Sequence, residues 1–195
     1  YSPTSELGKV TKSTPMGSLD HPFNPLSLAI GAEATFVARA IDTDKKELTE
    51  VLRAAAAHPG ASFVEVFQNC NIYNDGAFDF VRDHKENRIY LRDGEPIVFG
   101  ERGVRQAEDG SAEVVDAAAG GLLVHDPSHV EPSVAFALSR LTYDTVGATP
   151  FGVFRAVDRP VYDEAVADQI RVAQDQRGEG DLEALLHAGD TWQIG

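Results

Sequence analysis

The stretch that decides the fold is residues 35–67, TFVARAIDTDKKELTEVLRAAAAHPGASFVEVF. It opens and closes with β-branched and aromatic runs, at 35–41 and 62–67, which predict two strands. Between them Asp44 and Glu47 have the spacing of a capping box, and apolar residues then recur at helical intervals as far as His58. A strand–helix–strand unit of this length predicts a right-handed crossover and a parallel sheet, and so an α/β fold.

The only cysteine of the chain, Cys70, follows the second predicted strand. Open α/β sheets bind their ligands beyond the carboxyl ends of the strands, so this position favours a functional site. On the residues alone a lone cysteine is more often a small buried hydrophobe. An iron–sulfur cluster needs about four thiolates, and this chain supplies one.

Residues 1–25 are rich in Ser, Thr, Pro and Gly, which is the composition of a loop. A connection of this length is expected to be an active-site lid or a linker, and we expect the chain to be part of a longer polypeptide. Its hydroxyl and ammonium groups have the chemistry to hold an anion, although no Gly-rich phosphate loop is present. A solvated surface loop is the other interpretation of the same residues.

Three regions are predicted along the chain. Residues 1–84 read as the α/β part, including a short helix at 25–34. Residues 85–120 read as a small antiparallel β-hairpin appendage, in which 88–91 pairs with 96–99 across a turn containing Asp-Gly, and a second Asp-Gly stands at 109–110. Residues 121–195 read as a helical extension with a strand near 151–157. Its last long helix, at 160–176, is predicted to turn four residues inward: Val161, Ala165, Ile170 and Ala173.

Composition excludes several classes of protein. The 195 residues are 43% hydrophobic and 25% charged, which is ordinary for a globular domain. No apolar run is long enough to predict a membrane span, and one cysteine excludes an internal disulfide framework and favours the cytoplasm. A net charge of −14 argues against a nucleic-acid partner, since phosphate backbones are bound by clustered Lys and Arg.

A second polar cluster, His125-Asp126-Pro127-Ser128-His129, offers two imidazoles and a carboxylate. Such residues suit a metal ion, but Asp-Pro-Ser is also ordinary turn chemistry. The sequence favours the turn and contains no legible Ser/His/Asp triad.

Four blocks of sequence carry a resemblance to a known family. They are SPTS…TKSTP…DHPFNP within residues 1–25, QNCNIYND at 68–75, HDP…AFALSRL between 125 and 141, and TPFGVFR at 149–155 with RPVYD at 159–163. Together they resemble the β subunit of the 2-oxoacid:ferredoxin oxidoreductases, most closely the actinobacterial type that acts on 2-oxoglutarate.

The resemblance implies part of a thiamine-diphosphate-binding fold, with the loop at 1–25 following the thiamine diphosphate and Mg²⁺ site. It implies that Ser2, Thr4 and Ser5 lie near thiamine diphosphate and that Cys70 is a ligand of a 4Fe–4S cluster. The implied partners are an α subunit, ferredoxin, a 2-oxoacid and coenzyme A. The implied reaction is oxidative decarboxylation of 2-oxoglutarate to succinyl-CoA. Pyruvate or mixed 2-oxoacid specificity, and a non-catalytic α/β interaction module, are the alternatives.

Overall fold

The computed structural model describes residues 2–72, 74–192 and 194–195. The chain forms two compact units. The first extends as far as Arg159, and the second is Pro160–Gly195.

The first unit is an α/β structure. Its helices are α1 (Pro25–Gly31), α2 (Lys45–Ala57), α3 (Asp79–Arg82), α4 (Ser133–Ser139) and α5 (Tyr143–Val146), with short 3₁₀ turns at Lys85–Asn87 and Ala117–Ala119. Its strands are β1 (Phe36–Ile41), β2 (Ser62–Phe67), β3 (Arg88–Leu91), β4 (Val98–Phe99), β5 (Arg102–Gln106), β6 (Ala112–Asp116) and β7 (Thr149–Ala156).

The predicted strand–helix–strand unit is confirmed. β1 and β2 pair in parallel, in a register that runs from Phe36 opposite Ser62 to Ile41 opposite Phe67. α2 connects them and begins at the predicted cap, where Asp44 Oδ1 accepts a hydrogen bond from the Glu47 amide at 3.2 Å. The cap therefore fixes where α2 begins.

The main sheet has the order β2-β1-β7-β3. β3 is parallel to β7, and β7 is antiparallel to β1, so the sheet is mixed and mainly parallel. β7 lies inside this sheet although its residues belong to the region predicted as a helical extension. The division of the chain at residues 84 and 120 itself stays a prediction.

The small antiparallel sheet is confirmed, but one of its predicted pairings is wrong. It consists of β4, β5 and β6, and Asp109-Gly110 forms the turn of the β5–β6 hairpin. Arg88–Leu91 does not pair with Pro96–Phe99, because as β3 it pairs with β7. The reason is burial on both faces: Ile89 and Leu91 pack in one core cluster and Tyr90 packs in another, which suits a covered sheet better than an exposed appendage.

Alternation along β1 separates two layers of core. Phe36, Ala38 and Ala40 pack with Val51 of α2 on one face of the sheet. The opposite face is divided between a larger cluster, which includes residues of α1 and α4, and a smaller one around Ile41, Val81 and Phe151. This smaller cluster lies beneath the loop that carries the cysteine.

The second unit contains α6 (Tyr162–Arg177) and α7 (Leu182–Leu186). The helix predicted near 160–176 is present, but its predicted inward face is wrong, since α6 has no buried residue and Ile170 is 54% exposed. Its stripe consists largely of Ala and Val, which offer little apolar area to bury. No helix in the described residues is long and apolar enough to cross a membrane.

Candidate functional site

The carboxyl ends of β1 and β2 lie side by side and form the site edge of the sheet. The Asp42 amide donates to the Phe67 carbonyl at 3.0 Å, so the chain leaves both strands at the same level. Polar residues follow each strand: Asp42, Thr43 and Asp44 after β1, and Gln68, Asn69 and Cys70 after β2. Cys70 is exposed at this edge, where α/β sheets bind their ligands.

The loop of Cys70, residues 69–76, is closed by hydrogen bonds across its neck. Asn69 Nδ2 donates to Asp75 Oδ1 at 2.9 Å, and Asn69 Oδ1 accepts from the Gly76 amide at 2.9 Å. Within the loop, Cys70 and Asn74 form an isolated antiparallel bridge in which the Asn74 amide donates to the Cys70 carbonyl at 2.9 Å. The backbone that carries the thiol is therefore fixed on both sides.

Aromatic packing anchors the two ends of this loop. The rings of Phe67 and Phe78 stack with centroids 4.2 Å apart, and Phe151 meets Phe67 edge-on at 5.6 Å. The Arg39 guanidinium lies over the ring of Phe67, 4.9 Å from the ring centroid. Phe67 and Phe78 therefore flank the polar loop and also belong to the apolar base on which it lies.

Cys70 is the one described residue whose side chain has the chemistry of an iron–sulfur ligand, a thiolate. Cys70 is an exposed residue at a strand end, and Asn74 Oδ1, across the bridge from it, is buried without a hydrogen-bond partner among the described residues. Among all the residues that the structure describes, no three His, Cys, Asp or Glu side chains are grouped to hold a metal ion. Because a cluster needs about four thiolates, the others must come from outside these residues. The role of Cys70 as a ligand stays a prediction.

The predicted cofactor-proximal hydroxyls lie together at the start of the amino-terminal loop. Ser2 Oγ is 3.1 Å from Thr4 Oγ1 and 3.2 Å from Ser5 Oγ, and the Ser2 amide donates to Ser5 Oγ at 2.9 Å. The Phe23 amide donates to the Pro3 carbonyl at 2.8 Å, which closes the loop near its other end. Tyr1, the first residue of the predicted lid, lies outside the described residues.

Ser18 holds the middle of this loop, a role that the sequence did not reveal. Its buried hydroxyl donates to the Glu6 carbonyl at 3.0 Å and accepts from the Lys9 amide at 3.1 Å. Beside it Gly17 has a φ of +91°, and a Cβ there would lie 2.9 Å from the Gly8 carbonyl oxygen. Only glycine fits this crossing, so the loop has a defined conformation of its own.

The His125–His129 cluster is a turn, as the sequence favoured. Asp126 Oδ1 accepts from the amide and the hydroxyl of Ser128 at 2.9 and 2.6 Å, and the hydroxyl bond lowers the pKa of Asp126. His125 is only 2% exposed, and its Nε2 lies 2.7 Å from the Val153 carbonyl, to which it donates. Its Nδ1 is buried without a partner among the described residues, and burial lowers the pKa of the imidazole.

The sequence also did not predict a polar network at the start of α2. The Tyr90 hydroxyl donates to Asp44 Oδ2 at 2.7 Å, and the buried Arg88 guanidinium lies 3.3 Å from the same hydroxyl. Burial, then the bond to Asp44, raises the pKa of Tyr90, while that bond lowers the pKa of Asp44. The partners are 46 residues apart, and no local pattern signals a contact at that separation.

The chain is similar to known subunits of 2-oxoacid oxidoreductases. The chain is 53% identical, over 203 aligned positions that take in all of it, to the 2-oxoglutarate oxidoreductase subunit KorB of Mycobacterium tuberculosis, and it covers 54% of that protein. About half of the chain is 38% identical to part of the 2-oxoacid:ferredoxin oxidoreductase subunit beta of Saccharolobus solfataricus, 30% of which is matched. No protein-family model matches the chain.

A solved structure supports the fold. The 2-oxoglutarate:ferredoxin oxidoreductase of Magnetococcus marinus, solved with 2-oxoglutarate, coenzyme A and succinyl-CoA bound, superimposes with a TM-score of 0.65 at 24% identity. The match covers 97% of this chain and 53% of that one. The chain therefore spans about half the length of the two proteins that match nearly all of it, the subunit from M. tuberculosis and the structure from M. marinus.

Proposed function

Since the chain is related along its whole length to the β subunits of 2-oxoacid:ferredoxin oxidoreductases, we propose that it is the carboxyl-terminal part of such a subunit. The observation that carries the proposal is the 53% identity to a 2-oxoglutarate oxidoreductase β subunit, which extends over every region of the chain. The fold is consistent with it, because the cysteine and the polar strand ends lie at one edge of the sheet.

The proposed reaction is the oxidative decarboxylation of 2-oxoglutarate with coenzyme A. Carbon dioxide leaves, the remaining acyl group is transferred to the thiol of coenzyme A as succinyl-CoA, and two electrons pass to two ferredoxin molecules, one at a time. Thiamine diphosphate, held with Mg²⁺, supplies the electron sink for the decarboxylation, and a 4Fe–4S cluster supplies the path for single electrons. The enzyme acts in the cytoplasm as a complex with an α subunit.

Cys70 contributes one thiolate to that cluster. An iron ligand must be able to reach its metal, and the exposed position of Cys70 at the strand end allows this. The hydrogen bonds of Asn69 would hold the loop that carries this ligand, and a bound cluster would supply the path for single electrons.

The loop at residues 1–25 covers the thiamine diphosphate and the 2-oxoacid. Its hydroxyl cluster of Ser2, Thr4 and Ser5 offers short hydrogen-bonding groups to an anionic ligand. Ser18 bonds to the backbone of Glu6 and Lys9, immediately after these hydroxyls in the chain. Such a lid excludes water from a reactive intermediate.

The substrate alternative is pyruvate or a mixture of 2-oxoacids. It is favoured by the partial matches to relatives whose names specify only a 2-oxoacid. The alternative of another class is a non-catalytic module that keeps the fold and binds no cofactor.

The experiment that separates enzyme from module uses the complete β subunit, produced anaerobically with its α subunit. An absorbance band near about 400 nm, which is bleached by dithionite, together with saturable binding of thiamine diphosphate, is expected for the enzyme. A colourless complex that binds no thiamine diphosphate would instead establish the module.

A further inference from the structure

Asn69 is the residue immediately before Cys70. We infer that Asn69 is the positioning residue of the cluster ligand: it holds the loop of Cys70 shut, so that the sulfur stays at the geometry that iron requires. The inference rests on the proposed function, because it gives that sulfur an iron to bind.

The side chain of Asn69 joins the two ends of the loop by hydrogen bonds, next to the aromatic stack of Phe67 and Phe78. Its amide nitrogen donates to Asp75 Oδ1 and its amide oxygen accepts from the Gly76 backbone, both at 2.9 Å. A primary amide carries both a donor and an acceptor on one planar group, so Asn suits this place better than an ionised Asp, Ser or Ala. The bond to the Asp75 carboxylate is of the stronger, charge-assisted kind.

The far end of the loop is connected directly to α3. Gly76 has a φ of +78°, and a Cβ there would lie 3.1 Å from Asp79 Oδ2. The Asp79 amide donates to the Gly76 carbonyl at 3.1 Å, and α3 follows at once with Val81 fully buried. Gly76 is therefore fixed to the core, and Asn69 fixes Cys70 to Gly76.

The neck is accessible to solvent, which bears on what it does for stability. The hydrogen bond between Asn69 and Asp75 is exposed, so its contribution to the folding free energy is small. Its effect is expected at Cys70, where partners that orient a metal ligand typically change metal affinity by about 10–100-fold.

The test exchanges the two polar ends of the bond in the complete oxidoreductase. Asn69→Asp places two carboxylates against each other and opens the neck. Adding Asp75→Asn restores an amide–carboxylate pair with the direction reversed, at the original net charge, and leaves an oxygen at residue 69 for the Gly76 amide. Asn71→Asp is the matched control, since it adds the same charge on the other side of Cys70, where the exposed Asn71 side chain makes no hydrogen bond within the described residues.

Iron release to a colorimetric chelator is measured under anaerobic conditions, with iron per β subunit and thermal unfolding recorded for each protein. We expect release from Asn69→Asp to be about tenfold faster than from the wild type, with the double variant and Asn71→Asp close to the wild type. Wild-type release from Asn69→Asp, or fast release from the double variant when its unfolding temperature is normal, would overturn the inference. If Asn69→Asp does not fold, Asp75→Ala, which removes one of the two bonds, is measured in its place, and wild-type release from it would likewise overturn the inference.

Cys70→Ala separates this inference from the function beneath it. If Cys70→Ala contains less iron per β subunit but Asn69→Asp releases iron at the wild-type rate, Cys70 is a ligand and Asn69 does not position it. Wild-type iron in Cys70→Ala removes the ligand role itself.

Discussion

The rings of Phe67 and Phe78 stack 4.2 Å apart at the two ends of the loop that carries Cys70. Phe67 is the last residue of β2 and Phe78 precedes α3, so this one contact joins strand, loop and helix. The exposed cysteine is therefore placed on a packed apolar base, and removal of that base tests whether the loop depends on it.

Phe78→Ala is expected to destabilise the protein by about 2 kcal/mol, below the usual loss for a fully buried Phe because Phe78 is only half-buried. Chemical denaturation of the complete subunit measures the loss. Phe78→Leu keeps apolar volume and is expected to recover about half of it. Equal stability of the Ala variant and the wild type would show that the stack does not anchor the loop.

The buried imidazole of His125 predicts sensitivity to acid. Its folded pKa is lowered by burial, so below a pH of about 6.5 the unfolded chain takes up a proton that the folded chain does not. Stability is thus complete above that pH and declines as the pH falls towards the lower pKa of the folded state. Thermal midpoints between about pH 7.5 and 5 should show this decline, and His125→Gln should flatten it.

The matched control is the exposed His129, four residues away in the same turn. His129→Gln is expected to keep the acid sensitivity of the wild type. If the thermal midpoint of His125→Gln falls with pH as steeply as that of the wild type, other groups cause the acid sensitivity.

The hydroxyl of Tyr90 supports the start of α2 through its bond to Asp44. Tyr90→Phe removes a hydrogen bond to a carboxylate and is expected to lower the free energy of unfolding by about 1 kcal/mol. Tyr162→Phe, at a side chain that is 83% exposed, serves as the control and is expected to change nothing measurable. Equal values for the two variants would contradict the account of this network.

The proposed lid at residues 1–25 predicts a change in proteolysis. Lys12 is exposed in this loop and offers a trypsin site. Thiamine diphosphate with 2-oxoglutarate should slow cleavage after Lys12 in the complete complex, because a closed lid cannot enter the protease. The same cleavage rate with and without the ligands would leave the loop as a plain connection.

The success and failure of the sequence predictions have one physical origin. β1, α2 and β2 follow from local patterns, because a cap, an apolar stripe and two β-branched runs each act within a few residues. The partner of β3 does not follow, since a four-residue strand pairs according to which faces the rest of the fold covers. The hydrogen bonds of Ser18 and of Tyr90 are equally non-local in origin, as each depends on where the backbone has already brought its partner.

The residues of the candidate site also include one that the sequence indicates and one that only the structure reveals. Cys70 is found from sequence because strand order places it at the carboxyl edge, and its neighbour Asn69 is recognised only once Asp75 and Gly76 are seen opposite it. The inward face predicted for α6 fails because small apolar residues at helical spacing do not by themselves secure burial.

The central claim is tested most directly by the electron transfer itself. The complete complex, with thiamine diphosphate, Mg²⁺ and coenzyme A, is mixed with oxidised ferredoxin, and the rate of ferredoxin reduction is followed with 2-oxoglutarate or with pyruvate. We predict reduction that requires coenzyme A, is faster with 2-oxoglutarate, and is lost in Cys70→Ala. Absence of reduction with every 2-oxoacid, in a complex that carries both cofactors, would contradict the account.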